Sequence, residues 1–155
     1  MEFEQLVNAV QSLRADDAFR ARLDAQQWRQ LSGFLVMQQA KPGMVVIRQG
    51  EVDRTAFFVG AGSLQVYIDG AEPGMSRAVM LRPGAFFGEV GLFSAGPRTA
   101  QVEAMTACTL WALRLPRCEE LAQRHPQIAL EVFKAAGAVM AARVRANMLN
   151  GVAVA

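Results

Sequence analysis

Between residues 1 and 33 the apolar positions recur every three or four residues, and beyond Phe34 they begin to alternate. Phe3, Leu6, Val7, Val10 and Leu13 share one helical face, opposite Glu2, Glu4, Gln5 and Arg14, which predicts an amphipathic N-terminal helix. After Asp16-Asp17 a short turn of helix is expected to carry Phe19 and Leu23. Asp24, followed three residues later by Gln27, is a capping-box pattern that opens a helix through Trp28 and Leu31, with Gly33 placed to end it. The first third is therefore a set of small helices whose apolar faces need a surface to cover.

From residue 34 the period is two and the punctuation is glycine. Met44 to Ile47, Ala56 to Gly60, Ser63 to Ile68, Ser76 to Leu81, Thr99 to Ala104 and Thr109 to Leu115 read as short strands rich in Val, Ile, Leu and Phe. Pro42-Gly43, Asp69-Gly70, Pro73-Gly74 and Pro83-Gly84 supply turn chemistry between them. Short strands at regular spacing imply an antiparallel sandwich or barrel. Within the strand from Ser63, the alternation puts Leu64, Val66 and Ile68 inward and Ser63, Gln65 and Tyr67 outward.

Helical spacing returns at Pro116, a residue suited to a first helical turn, and Glu119 and Glu120 are expected to complement that helix's dipole. Pro126 opens the longest helical run, to about Leu149, where Asn150-Gly151 stops it. Along it Ile128, Val132, Ala135, Val139, Ala142, Ala146 and Leu149 form a heptad seam, beside a second stripe of Ala129, Phe133, Ala136, Met140 and Val144. Two adjoining stripes fit either two packing partners, such as its own roll and a second copy of the chain, or one broad contact with a single core. The fold class is α+β in the segregated sense, one domain over 1–155: N-terminal helices in 1–33, a β-roll in 34–115 and C-terminal helices in 116–150.

Composition narrows the class. The chain has 155 residues, 52% of them hydrophobic and 19% charged, which describes a compact domain rather than a disordered one. No apolar run approaches the roughly 20 residues of a membrane-spanning helix, and the N-terminus lacks a signal-peptide layout, so the expected address is the cytoplasm. Cys108 and Cys118 are expected to be reduced thiols. A net charge of +2 with scattered arginines gives no nucleic-acid footprint.

One stretch, 84–100, is built unlike its surroundings: Gly-Ala-Phe-Phe-Gly-Glu-Val-Gly-Leu-Phe-Ser-Ala-Gly-Pro-Arg-Thr-Ala. Its glycines let a ligand approach main-chain N–H groups, and a helical turn begun at Gly88-Glu89-Val90-Gly91-Leu92 would aim such groups at an anion. Arg98 offers a planar donor fork that fits two phosphate oxygens. Glu89 would repel a phosphate but accepts well from sugar hydroxyls. One acid and one arginine in a single loop fit a nucleotide; they also fit a surface ion pair between Glu89 and Arg98.

The order Phe87-Gly88-Glu89-Val90-Gly91-Leu92, then Pro97-Arg98-Thr99-Ala100, resembles the phosphate-binding cassette of the cyclic nucleotide-binding domain family, the sensor domain of the catabolite activator group. The resemblance extends to Pro42-Gly43 with Val46, Ile47, Gln49, Gly50 and Glu51, to Phe57, Phe58, Val59, Gly62, Leu64 and Val66, and to Leu81, Pro83 and Gly84. It implies a jelly-roll-like β-roll, a cAMP or cGMP ligand, and site residues throughout 87–92 and 98–100. By that pattern Glu89 accepts from the ribose 2′-hydroxyl; Gly88, Val90, Gly91 and Leu92 line the sugar-phosphate; Arg98 pairs with the phosphate; and Thr99 and Ala100 add donors. Gly91 departs from the commoner alanine, which is expected to loosen the turn slightly, and Thr99 is similar to cGMP-responsive members. The family's lid is its C-terminal helix, where Met140 and Arg143 are the candidate base contacts; the alternative for Arg143 is plain helix surface.

An enzyme is not expected: His125 is the one histidine, which leaves neither a cupin-like metal site nor a Ser-His-Asp arrangement. The expected protein is a nucleotide-responsive module that signals to a protein partner or homodimer through its C-terminal helix, without direct nucleic acid or membrane binding. The alternatives are an interaction scaffold that needs no nucleotide, or the sensor fragment of a transcription factor without its helix-turn-helix. If Arg98 serves only the ligand, Arg98→Ala should leave the melting of the free protein nearly unchanged.

Overall fold

The computed structural model describes residues 2–68 and 79–149. The turns at Asp69-Gly70 and Pro73-Gly74, the first three residues of the strand expected from Ser76, the side chain of Leu149 and the stop at Asn150-Gly151 lie outside the described residues.

Chain order runs α1 (Glu2–Ser12), α2 (Ala25–Ser32), β1 (Val36–Ala40), β2 (Val45–Ile47), β3 (Thr55–Ala61), β4 (Leu64–Tyr67), β5 (Val79–Leu81), β6 (Phe86–Phe87), α3 (Val90–Phe93), β7 (Gln101–Ala104), β8 (Cys108–Arg114), α4 (Leu115–Arg124) and α5 (Pro126–Leu149). The strands form two antiparallel four-stranded sheets, ordered β1-β8-β3-β6 and β2-β7-β4-β5. Between them lie Ile47, Phe57, Val59, Leu64, Leu81, Phe87, Val102, Leu110 and Ala112. The outer face of the first sheet carries a second core, in which Ala56, Phe58, Phe86 and Leu113 meet the helices through Leu6, Val10, Trp28, Leu31, Leu121 and the first half of α5, with Phe19 of the 13–24 segment between them. β3 is thus covered on both faces, which explains why Ala56 through Gly60 is an unbroken buried run.

The capping box at Asp24 forms with both bonds in place: Gln27 N–H donates to Asp24 Oδ1 at 2.8 Å and the Asp24 N–H to Gln27 Oε1 at 2.9 Å. Gly33 caps the other end, as expected. Several expectations need correction. Residues 13–24 contain no helix; Phe19 is held instead by rings around it, 4.9 Å from Phe58 and 4.8 Å from Phe86 between centroids. β1 was not anticipated because it is an edge strand, polar and largely exposed, and β6 because it is two residues long. β7 begins at Gln101, with Thr99 and Ala100 in a bend. Ile68 is exposed and lies beyond β4, so the inward alternation stops at Val66. Glu119 and Glu120 fall after the first turn of α4, where Glu120 instead pairs with Arg117 and, at 3.0 Å, with Arg124. In α5, Ile128, Ala129, Val132, Ala135, Ala136 and Val139 from both stripes all enter the one helix-side core. Cys108 and Cys118 are both buried, free thiols.

Candidate functional site

The cassette begins where Pro83-Gly84 turns the chain out of β5: the Ala85 N–H donates to Arg82 O at 3.0 Å, and Gly84 N–H and Val59 O tie the turn to β3 at 2.7 Å. β6 pairs with β3, Phe86 opposite Phe58 and Phe87 opposite Phe57. Gly88 then takes φ +77°, and a Cβ there would stand 2.8 Å from Thr55 O, so the residue must be glycine on both counts. Glu89 opens α3, a single turn. Within it the Gly91 N–H donates to Gly88 O at 3.3 Å and the Leu92 N–H to Glu89 O at 3.0 Å, so these two donors serve the turn itself rather than facing an anion.

Gly91 does not loosen the turn. An added Cβ would lie 2.8 Å from Asp53 O, 3.0 Å from Arg54 Cα and 3.1 Å from Arg98 Nη1. The small residue lets α3 sit against the 53–54 backbone and against the arginine, a close packing that the alanine of the family pattern would push apart.

Arg98 is brought inward by two backbone bonds: its N–H donates to Glu51 O and its carbonyl accepts from the Gly50 N–H, both at 2.8 Å. The side chain is 7% exposed. Nη1 donates to Gly88 O at 3.0 Å and Nη2 to Thr55 O at 2.6 Å, with Asp53 Oδ2 at 3.8 Å from Nη2. Nε is buried without a partner among the described residues. Burial pushes the guanidinium pKa down, and the carboxylates of Asp53 and then Glu89 oppose that shift. Arg98 is therefore placed to brace the loop as well as to act as a donor, which sets these contacts against the expectation that its removal leaves the free protein's stability nearly unchanged.

Glu89 is equally enclosed, its side chain 5% exposed. The surface ion pair with Arg98 does not form; the partner of Glu89 is Nη1 of Arg143, from α5. Arg143 also donates through Nη2 to Phe86 O at 2.6 Å and through Nε to Asp17 Oδ2 at 3.0 Å. It is thus drawn onto the cassette, not left as helix surface. Met140, three residues earlier, is half-buried.

Phe87, Leu92 and Gly91 are buried, Val90 and Thr99 exposed and Ala100 half-buried. The structure brings Gly88, Glu89, Gly91, Arg98 and Arg143 together and leaves Thr99 at the rim. Sequence reasoning missed Asp17, Asp53 and Thr55. Asp53 lies two residues past Glu51, just beyond the stretch that carries the resemblance; Asp17 had no local signal. A cavity of about 490 Å³ is lined by Asp53, Thr55, Phe57 and Arg114 among others, and neither Arg98 nor Glu89 is among its lining residues. Among the described residues no helix is long and apolar enough to cross a membrane.

The model of the cyclic nucleotide-binding domain matches residues 37–125. The human potassium/sodium hyperpolarization-activated cyclic nucleotide-gated channel 3 is 35% identical over 88 residues, which is 57% of this chain and 11% of the channel, so the likeness spans about a tenth of that relative. Among solved structures, a cyclic nucleotide-binding domain from Methylobacillus flagellatus superposes with a TM-score of 0.80 at 17% identity, covering 99% of this chain and 85% of that one. The Thermus thermophilus catabolite activator protein gives a TM-score of 0.71 at 23% identity, over 83% of this chain and 59% of that one. With a family model over more than half its length, and the same overall fold in these structural neighbours, the chain belongs to the cyclic nucleotide-binding domain family.

Proposed function

We propose that this domain is a regulatory module that binds cAMP or cGMP at the cassette and signals by movement of α5. The observation that carries the reading is the buried Arg98 guanidinium with its Nε unengaged, in one loop with the enclosed carboxylate of Glu89. A buried donor lacking a partner is destabilising by about 1–3 kcal/mol, and a cyclic phosphate would remove that deficit. Glu89 is the acceptor for a ribose hydroxyl. Gly88, Val90, Gly91 and Leu92 line the sugar-phosphate, backed by Phe87, and Thr99 and Ala100 stand at the rim. The exposed Thr99 hydroxyl is free to meet a guanine amino group, so cGMP is a candidate beside cAMP. Met140 and Arg143 are the lid residues of α5, and a protein partner or second copy reads the helix. The module performs no reaction of its own and works in the cytoplasm.

A second reading, a scaffold that needs no nucleotide, draws support from the same site: both charged groups already have protein partners. Isothermal titration separates the two. Saturable heat with cAMP or cGMP is expected, and no heat at submillimolar ligand with either nucleotide would overturn the first reading in favour of the second.

A further inference from the structure

Three donors of Arg143 reach three separate parts of the chain: Glu89 in the cassette, the Phe86 carbonyl in β6, and Asp17 in the segment ahead of α2. Asp17 belongs to a strap, residues 13–24, with no helix or strand of its own. The strap is pinned along α5 at two points, Asp17 on Arg143 and the Arg22 N–H on Glu131 Oε1 at 3.0 Å. The pins fall in reverse order along the helix, Asp17 at 143 and Arg22 at 131, so strap and helix run in opposite directions. Between the pins Phe19 is sealed against Phe86, which fixes the strap to the cassette strand as well.

We propose that Arg143 is a latch, anchored by Asp17, that holds the second half of α5 on the cassette and competes with a ligand hydroxyl for Glu89. The proposal rests on the reading of Glu89 as the sugar acceptor. At 5% exposure the Glu89 side chain is out of reach of a sugar in this conformation, so a covering group has to move first. Arg143 is the covering group that closes an ion pair on it. A diol that takes the carboxylate removes the arginine's one deeply buried charged partner and leaves it the neutral Phe86 carbonyl and Asp17, whose side chain is 35% exposed and holds it only weakly. The arginine must leave Glu89 before α5 is able to close on a base, so the latch lowers nucleotide affinity and sets the order of events.

Asp17→Asn tests this, because Asp17 is half-exposed and the substitution leaves the fold intact. Amide exchange of 140–149 in the full chain without nucleotide should quicken, and the Kd for the tighter of cAMP and cGMP should fall by about two- to fivefold, the size of a partly exposed ion pair. Unchanged exchange would overturn the latch whatever binds. Faster exchange with a weaker Kd would also overturn it, since the arginine would then serve the bound state. Faster exchange while neither nucleotide binds would overturn the competition for Glu89 and the nucleotide reading of the cassette, leaving the tie between strap and helix.

Discussion

In the first half of α5, Ile128, Ala129, Val132, Ala135, Ala136 and Val139 are each no more than 3% exposed, and all enter one core with Leu121, Cys118 and the outer face of β3. Past Val139 the same helix changes character: residues 140–144 are half-buried and 145–147 exposed, and Arg143 makes its ties to the rest of the fold through charge and hydrogen bonds. Each large side chain in the first half contributes about 1.5–3 kcal/mol of burial, which a polar ligand does not replace in kind. The second half is held by ion pairs and hydrogen bonds, worth from a few tenths of a kcal/mol where exposed to about 3 kcal/mol where buried, that a polar ligand replaces in kind. A single helix thus joins a fixed stem to a segment whose position depends on who holds Glu89.

Truncation should expose that difference most strongly. Ile128→Ala removes three carbons from a sealed site and should lower stability by about 2–5 kcal/mol in urea unfolding, whereas Val144→Ala should cost about 1 kcal/mol or less. Equal losses would mean that the second half is as deeply built in as the first.

Arg98 belongs to neither half, yet it sharpens the contrast, because it combines both kinds of attachment. Arg98→Ala should abolish nucleotide binding and also lower the free protein's stability by about 1–3 kcal/mol, since the carbonyls of Gly88 and Thr55 lose their donor. Arg98→Lys keeps the charge but not the planar fork, so it should recover part of the stability and little of the binding. Unchanged melting of Arg98→Ala would show that backbone bonds at Gly50 and Glu51 alone hold the loop.

What could be read from the chain follows the range of the interactions involved. The capping box at Asp24, the glycine turns and the helix from Pro126 are local, and each is written in residues within a few positions of one another. The cassette was legible for the same reason, its acid and arginine lying nine residues apart on one loop. The strap was misread because Phe19 lies at helical spacing from Leu23 but takes its conformation from Phe58 and Phe86, far along the chain. β1 was hidden because an edge strand with exposed Val36 and Met37 has little alternation to show. Arg143 could be marked as a lid residue but not as the partner of Glu89, which is 54 positions away. Gly91 looked like slack in the turn and is a close contact, because what its Cβ would strike comes from residues 53 and 54.

The smallest expected effect is the most direct test of whether the two halves of α5 move as one. Cys118, in α4 against the first half, is 0% exposed, and burial followed by the nearby Glu119 charge pushes its thiol up to about 12. At pH 8 the folded thiol is then about one part in ten thousand thiolate, and iodoacetamide should label it only when the core opens. The sign with pH follows from the same shift. The folded pKa lies above the ordinary 9.0, so the neutral thiol leaves stability unaffected by pH below about 9 and the fold weakens as pH climbs from there toward 12, the unfolded chain ionising first. Cutting the anchor with Asp17→Asn should leave Cys118 labelling at pH 8 unchanged, read by mass spectrometry on the peptide that carries it. Labelling that quickens in step with exchange at 140–149 would mean that strap, latch and helix core open together. In that case the division at Val139 would fail, and a ligand at Glu89 would have to work against the whole aliphatic core rather than against one arginine.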